Sequence, residues 1–198
     1  SQITNMFFIF AHSNFNGDIS NWDVSNVTNM SYMFNEAMYF NSQLNNWDVS
    51  NVTDMSYMFY GATKFNQDIS KWDVSNVLNM NGMFWECSNL TSINISNFNT
   101  SKVTDMNNMF AECSNLITLD LSNFDTSNVI YMGNLYSYSY GGMFRNCSSL
   151  KELNVSSFNT SKVKYMSNMF QGCPSLTSLD LSNFDTSNVT AMASMFAT

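Results

Sequence analysis

The sequence predicts a right-handed solenoid with short parallel strands on its concave face and turns or short helical and 3-10 segments elsewhere. The main observation is a repeated Met-Phe pair, which begins at residues 33, 58, 83, 109, 143, 169 and 195. The period is therefore 25 or 26 residues, with one longer step of 34. Self-similarity at such a period is typical of repeat arrays. Each repeat also has two apolar patterns, one typical of a strand and one typical of a helical turn.

The strand-like half of the repeat is clearest in residues 87–198. Leu90, Ile93 and Ile95 begin an L-x-x-L-x-L pattern that returns in every later repeat. This pattern is the strand part of a leucine-rich repeat, and apolar residues two apart fit a strand with one buried face. The predicted class is therefore a leucine-rich-repeat-like right-handed solenoid. We expect strands at about residues 18–20, 43–45, 68–70, 93–95, 119–121, 153–155 and 179–181.

The other half of the repeat has helical spacing. Met106, Met109, Phe110 and Cys113 are separated by three, one and three residues, which predicts a short helical or 3-10 turn facing the core. Residues 1–86 use a repeat one residue shorter, with tryptophan where later repeats have phenylalanine. The abundant Met and Phe residues fall on the inward positions, so we expect them to form the core.

We expect one repeat array of about 7.5 turns over residues 1–198, interrupted by an insertion of eight at about 135–142. We expect the array to be a fragment of a longer chain, because solenoids need atypical capping repeats and neither end has one.

The composition argues against several classes of partner. Charged residues make up 11% of the chain, and the net charge is −8 with only seven lysines and arginines. Nucleic-acid binding requires a basic face, and anionic lipids attract basic segments. No apolar run approaches the roughly 20 residues of a membrane-spanning helix. We therefore expect neither a nucleic-acid partner nor a transmembrane segment.

Residues 122–181 contain the pattern S-N-F-D-T-S-N-V followed by M-x-x-M-F-x-x-C and L-x-x-L-x-L. This pattern resembles the BspA-like leucine-rich repeat of bacterial surface proteins, and the resemblance covers essentially the whole chain. It implies a curved solenoid on a cell or virion surface that acts in adhesion or as a structural module. The first three repeats depart from the pattern with Trp for Phe and with Ala or Ser for Cys. The family motif consists of scaffold residues, so the resemblance names no ligand.

Four cysteines follow the phenylalanine of a Met-Phe pair by three residues: Cys87, Cys113, Cys147 and Cys173. Earlier repeats have Ser13, Ala37 and Ala62 there, so the position needs a small buried residue, which a free thiol satisfies. Disulfides between adjacent repeats and a metal site are the alternatives.

The polar residue of each predicted strand forms a row in which carboxylates and amides alternate. We predict that this row binds a polar partner through Asp68, Asn94, Asp120, Asn154 and Asp180. The alternative is charge dilution on an exposed face, because like charges about 5 Å apart repel by roughly 3 kcal/mol at an effective dielectric constant of 20.

A second row, Asp23, Asp48 and Asp73, follows the tryptophans. We expect these side chains to cap backbone N–H groups at a bend. They are also a weak candidate for calcium, which needs six to eight oxygen ligands. No other cofactor is expected.

The insertion is rich in Tyr, Ser and Gly, which is the composition of adaptable antibody paratopes. Tyr136, Tyr138 and Tyr140 are therefore predicted binding residues. The alternative is a tolerated surface loop without function.

These observations predict a non-enzymatic, extracellular adhesion or protein-interaction module on a cell or virion surface, with a protein or a glycan as its partner. No catalytic set of residues, phosphate-binding loop or metal motif stands outside the repeat pattern. The alternative is a structural filament or spacer whose copies stack head to tail through heterologous contacts.

Overall fold

The computed structural model describes residues 2–135 and 141–198. Two strands are present, β1 (Thr118–Asp120) and β2 (Glu152–Asn154), and they pair in parallel with Leu119 opposite Leu153. They lie one residue before the predicted segments 119–121 and 153–155. The other predicted strands do not form ladders in the described part of the chain. No helix occurs among the described residues, so none there is long and apolar enough to span a membrane.

Parallel backbone bridges join successive repeats. Each repeat contributes one residue to the row, and the bridged pairs are Asn5–Asn29, Asn29–Asp54, Asp54–Asn79, Asn79–Asp105, Asp105–Tyr131, Tyr131–Tyr165 and Tyr165–Ala191. Repeats that are neighbours in sequence are therefore neighbours in space, in chain order. A solenoid requires this arrangement, and the right-handed leucine-rich-repeat-like class stays a prediction.

The Met-Phe segment is a series of turns rather than a helix, which corrects the expectation of helical and 3-10 segments. In residues 30–36, the amides of the even-numbered residues donate to carbonyls of the next repeat at 2.6–3.0 Å. The amides of residues 33, 35 and 37 donate to the carbonyl three residues earlier at 3.0–3.2 Å. An α-helix would use these amides within the segment. Here alternate amides are committed to the neighbouring repeat, so a helix cannot form.

Residues in the left-handed backbone conformation allow the amides to alternate between the two kinds of hydrogen bond. Tyr32 and Glu36 have φ angles of 56° and 51°, and Tyr57 and Gly61 have 55° and 69° at the same positions of the next repeat. This region is open to glycine but disfavoured for other residues, and it interrupts a right-handed helix. Each Met-Phe segment thus contains two successive turns, which project their side chains to the surface at fixed points.

The core contains a column of stacked phenylalanine rings, one from each repeat. Its members are Phe10, Phe34, Phe59, Phe84, Phe110, Phe144, Phe170 and Phe196. Successive ring centroids lie 5.3–6.1 Å apart with interplanar angles of 1–15°. This parallel offset geometry is favourable for aromatic pairs. The methionines of the Met-Phe pairs are buried beside the column, which confirms the predicted core at these positions. The prediction is wrong for the exposed residues Phe7, Phe8, Met38, Met192 and Phe196.

The short and the long repeats satisfy the same buried carbonyl in different ways. Trp47 donates its indole N–H to the Ile19 carbonyl at 3.0 Å, and Trp72 makes the equivalent bond. In the long repeats the tryptophan is replaced by phenylalanine, and Asn123, which precedes it, donates to the Ile95 carbonyl at 3.0 Å. The carbonyl therefore receives a side-chain N–H in both cases, from the tryptophan itself or from the residue before the phenylalanine.

A buried threonine is a second feature of the long repeats. Thr126 is 0% exposed, and its hydroxyl donates to the Asn159 carbonyl at 3.0 Å and accepts the Asn159 N–H at 2.8 Å. Thr160 makes the same pair of bonds with Asp185. The short repeats have valine at this position, as at Val24. The hydroxyl thus ties each long repeat to the next one.

We expect Thr126→Val to lower the free energy of unfolding by about 1–3 kcal/mol, because the Asn159 N–H and carbonyl lose their partner in a dry site. Thr104→Val is the matched control, since the Thr104 hydroxyl is exposed and makes one bond of 3.2 Å. Its effect should stay within about 0.5 kcal/mol. Urea unfolding monitored by circular dichroism measures the stability of both variants. Equal losses would show that the buried Thr126 hydroxyl stabilises the array no more than an exposed one.

Candidate functional site

The Asp23, Asp48 and Asp73 side chains cap the bend that follows each tryptophan. The carboxylate of Asp48 accepts the Ser50 N–H at 3.1 Å and the Ser50 hydroxyl at 2.6 Å. Asp23 and Asp73 accept the equivalent N–H groups at 3.1 and 3.0 Å. This is the capping role predicted for the row. In the described ranges no cluster of three or more His, Cys, Asp or Glu residues could hold a metal ion.

The polar row of the strand face has the same local geometry. All five predicted binding residues are exposed, and each accepts the backbone N–H two residues later at 2.9–3.3 Å; they are Asp68, Asn94, Asp120, Asn154 and Asp180. The first oxygen of each side chain is thus held by its own turn. The orientation of the rest of the group is fixed before any ligand arrives.

These turns also keep the carboxylates ionised. The hydrogen bond from the Ser122 N–H holds the pKa of Asp120 below its usual value, and the Ser182 N–H does the same for Asp180. A hydrogen bond with the Asn154 side chain lowers the pKa of Asp120 further. Hydrogen bonds to the charged form of an acid stabilise that form. These side chains therefore act as hydrogen-bond acceptors around neutral pH.

The structure brings three of the five predicted residues into one open groove of about 830 Å³. Asp120, Asn154 and Asp180 line it, together with Lys151 and Glu152. Three leucines of the strand rows also reach its wall: Leu119, Leu153 and Leu179. Asp68 and Asn94 do not line this groove. We call it the strand-face groove.

The tyrosines of the insertion, Tyr136, Tyr138 and Tyr140, lie outside the described residues. The base of the insertion is described: Gly133 and Gly142 form an antiparallel bridge. A Cβ atom on Gly142 would collide with the Asn168 backbone, so glycine is needed there for close approach. No residue of this base lines the strand-face groove. The described base of the insertion therefore contributes nothing to the strand-face groove.

The four cysteines are free and buried, as the packed-thiol interpretation predicts. Each thiol donates to a phenylalanine carbonyl of the preceding repeat; for Cys113 the acceptor is Phe84 at 3.1 Å. Burial raises the pKa of these thiols, to about 11 for Cys173. A thiol that resists ionisation is a poor nucleophile and metal ligand. The cysteines therefore serve packing.

A second surface was missed in the sequence. Tyr32, Tyr57, Tyr60 and Trp85 form a cluster of half-buried rings on the Met-Phe side of the array, which we call the aromatic patch. The helical spacing of the segment gave no reason to separate these rings from the core aromatics. Gly82 occupies the same position of the repeat as Tyr32 and Tyr57. A glycine at this position indicates a left-handed turn, and it could have shown that the two tyrosines do not lie on a helix.

A family model described as "Mycoplasma protein of unknown function, DUF285" matches three overlapping parts of the chain, residues 1–93, 67–141 and 138–198. Together the matches extend from the first residue to the last, and they show a repeat-containing protein. No curated protein matches the chain.

The capping carboxylates predict a loss of stability in acid. Hydrogen bonds from Ser127 hold the pKa of Asp125 below the usual value of 3.8, so the folded state binds this proton less readily than the unfolded state. The resulting stability is present above about pH 4 and is lost as the pH falls through the lowered pKa. Asp125→Asn keeps the turn, as Asn99 and Asn159 do in other repeats, and should flatten this dependence.

Thermal unfolding of the wild type and of Asp125→Asn between about pH 6 and pH 2 measures the effect. The difference in unfolding temperature should be constant above about pH 4 and should shrink below it. A difference that does not change with pH would show that the Asp125 carboxylate gives no pH-dependent stability.

Proposed function

The chain belongs to the family described as "Mycoplasma protein of unknown function, DUF285". From the geometry of the strand-face groove we propose that the chain is a non-enzymatic interaction module that acts in adhesion on a cell or virion surface. In this proposal the repeats form a leucine-rich-repeat-like right-handed solenoid, and the strand-face groove is the contact site for a glycan or a protein. The resemblance of the repeat to the BspA-like leucine-rich repeat supports the surface location.

The observation that carries the proposal is the fixed orientation of the polar groups in the groove. Asp120, Asn154 and Asp180 are each held by an N–H of their own turn, at 3.0, 3.1 and 2.9 Å. A side chain that is already ordered loses little entropy when a ligand binds. The groove thus presents three preorganised acceptors on an exposed surface.

The chemistry of these acceptors favours a partner with many hydroxyl or ammonium donors. Ionised carboxylates accept hydrogen bonds, and the Asn154 amide can both donate and accept. Leu153 and Leu179 are half-buried and add apolar surface between the polar groups. Sugars offer the same combination of hydroxyl donors and apolar ring faces, so a glycan fits the groove well.

The filament alternative also has a supporting observation. In the Met-Phe segments the cross-repeat amides donate towards the following repeat, and the carbonyls accept from the preceding one. Each repeat therefore has two unlike, complementary sides. Contacts of this heterologous type can extend from one copy of the array to the next.

We expect the double variant Asp120→Asn, Asp180→Asn to weaken binding to a printed array of neutral and amino-sugar glycans by roughly tenfold, since charged acceptors make the stronger hydrogen bonds. Asparagine preserves the turn, as Asn94 and Asn154 already show. The control Asp125→Asn, Asp185→Asn removes the same charge from the bend row, in which these two residues take the place of Asp48 in long repeats, and it should bind normally. Serine at positions 136, 138 and 140 tests the loop separately.

Equal weakening in the two double variants would show that the groove carboxylates have no special role. Absence of binding by the wild type to every glycan and to cell surfaces would contradict the adhesion proposal. Normal binding after the tyrosine replacements would remove the insertion from the contact surface.

The filament alternative predicts a molecular mass that grows with protein concentration. Light scattering over a wide concentration range measures it, with and without calcium. A constant monomer mass would contradict the filament. Growth only with calcium would assign Asp23, Asp48 and Asp73 a role as ligands in addition to capping.

A further inference from the structure

We propose that the aromatic patch and the carboxylates beside it bind lysine or arginine side chains of an extended basic segment in a partner protein. The carboxylates are Glu36, Glu86 and Glu112, which occupy one row of left-handed turn positions. Glu86 and Glu112 line a second groove, which shares no lining residue with the strand-face groove. The inference therefore goes beyond the strand-face proposal and does not depend on it.

The four rings of the aromatic patch form one continuous surface over three repeats. Tyr32 and Tyr57 stack with centroids 4.7 Å apart and an interplanar angle of 20°. Tyr60 and Trp85 lie 4.8 Å apart, and Tyr57 contacts both of them at 6.2 and 6.3 Å. The rings are half-buried, so their outer faces and edges remain available to a partner.

The backbone explains why these rings lie on the surface. Tyr32 and Tyr57 occupy left-handed positions, at φ 56° and 55°, which bulky residues rarely adopt. In the next repeat the same position is Gly82, and a Cβ atom there would lie 2.6 Å from the Tyr57 ring. Gly82 thus gives the Tyr57 ring room to lie over the next repeat and to reach Trp85.

The carboxylate row borders the aromatic patch. The Glu36 N–H donates to the Tyr60 carbonyl at 2.6 Å, and Glu86 directly follows Trp85 in the chain. Burial raises the pKa of the Tyr60 phenol, and the negative charges of Glu86, Glu36 and Glu112 raise it further. Glu86 and Glu112 also line an open groove of about 590 Å³ with Ser88, Ser114 and their neighbours. Aromatic faces and carboxylates therefore meet along one edge.

Two of the three carboxylates have a basic side chain beside them. His12 lies 3.0 Å from Glu36, and Arg145 lies 2.8 Å from Glu112. Within the described ranges no ion pair includes Glu86, which lines the same groove as Glu112. Burial and the Glu112 charge raise the pKa of Glu86. A cation placed between the two groups would relieve this repulsion.

Charge complementarity identifies the occupant. Cations bind over the faces of Trp and Tyr within about 6 Å of the ring, and a carboxylate next to the ring strengthens the attraction. The net charge of −8 attracts basic segments and repels nucleic acid. A neutral sugar could stack on the rings and donate a hydroxyl to Glu86, but it would not offset the repulsion between Glu86 and Glu112. A lysine or arginine side chain can contact the ring faces and pair with the carboxylates at the same time.

The test uses an acetylated and amidated hexa-arginine peptide, titrated calorimetrically into the full chain at about physiological ionic strength. Glu86→Gln should weaken binding by roughly fivefold or more, and Trp85→Leu by a similar factor. Glu152→Gln is the matched control, because it removes the same charge from the strand-face groove. Circular dichroism melts verify that the variants are folded.

Equal weakening by Glu86→Gln and Glu152→Gln would show general charge attraction and would overturn the proposal. Unchanged binding by folded Trp85→Leu would remove the rings from the site. A neutral oligosaccharide that changes the tryptophan fluorescence, with no response to the peptide, would instead identify a sugar surface. The variant Asp120→Asn, Asp180→Asn should bind the peptide normally, so failure here and failure of the strand-face proposal are distinguishable.

Discussion

The structure depends on backbone hydrogen bonds that cross from each Met-Phe segment to the next repeat. In residues 30–36 alternate amides have no acceptor within their own repeat and donate to the following one. Buried amides must be paired, so every repeat needs a neighbour at a fixed register. This requirement fixes the register between neighbouring Met-Phe segments and the direction of the array. The insertion is tolerated because the bridge between Gly133 and Gly142 restores the backbone path before Phe144.

The unusual polar composition follows from the turns that close each repeat. The strand row and the bend row place an Asp or Asn two residues before the N–H that it caps, as at Asp120 and Asp48. The bridge row does so from Asn5 to Asp105, as at Asp54. Capping requires an oxygen atom rather than a charge, so Asp and Asn can replace one another. The chain can therefore be rich in Asn and Ser and poor in ion pairs without leaving turn amides unpaired.

Much of the architecture could be predicted because it repeats. The period, the buried Met and Phe residues, the packed thiols and the Asp caps of the bend all follow from positions that recur in the sequence. The turn structure of the Met-Phe segment was not predicted, because its apolar spacing equals that of a helix and the sequence marks the left-handed positions only where they are glycine, as at Gly82. The strand ladders were overestimated for a related reason. In the early repeats Asn16 and Asn41 side chains accept the amides of the next repeat at 2.8 and 2.9 Å, in place of backbone carbonyls. The aromatic patch was missed because Tyr57 and Trp85 meet only after the repeats stack.

The phenylalanine column has an evolutionary consequence. Ring separation is 5.6 Å between the two short repeats of Phe34 and Phe59 and also 5.6 Å between Phe84 and Phe110, where the longer repeat begins. Short and long units thus present nearly the same interface to their neighbours. Duplication or deletion of one whole unit in the gene would leave every remaining interface intact, whereas loss of a single codon within a unit would disturb one of them. The array can therefore change its length by whole repeats. A binding surface on one group of repeats can persist while other repeats are added or removed.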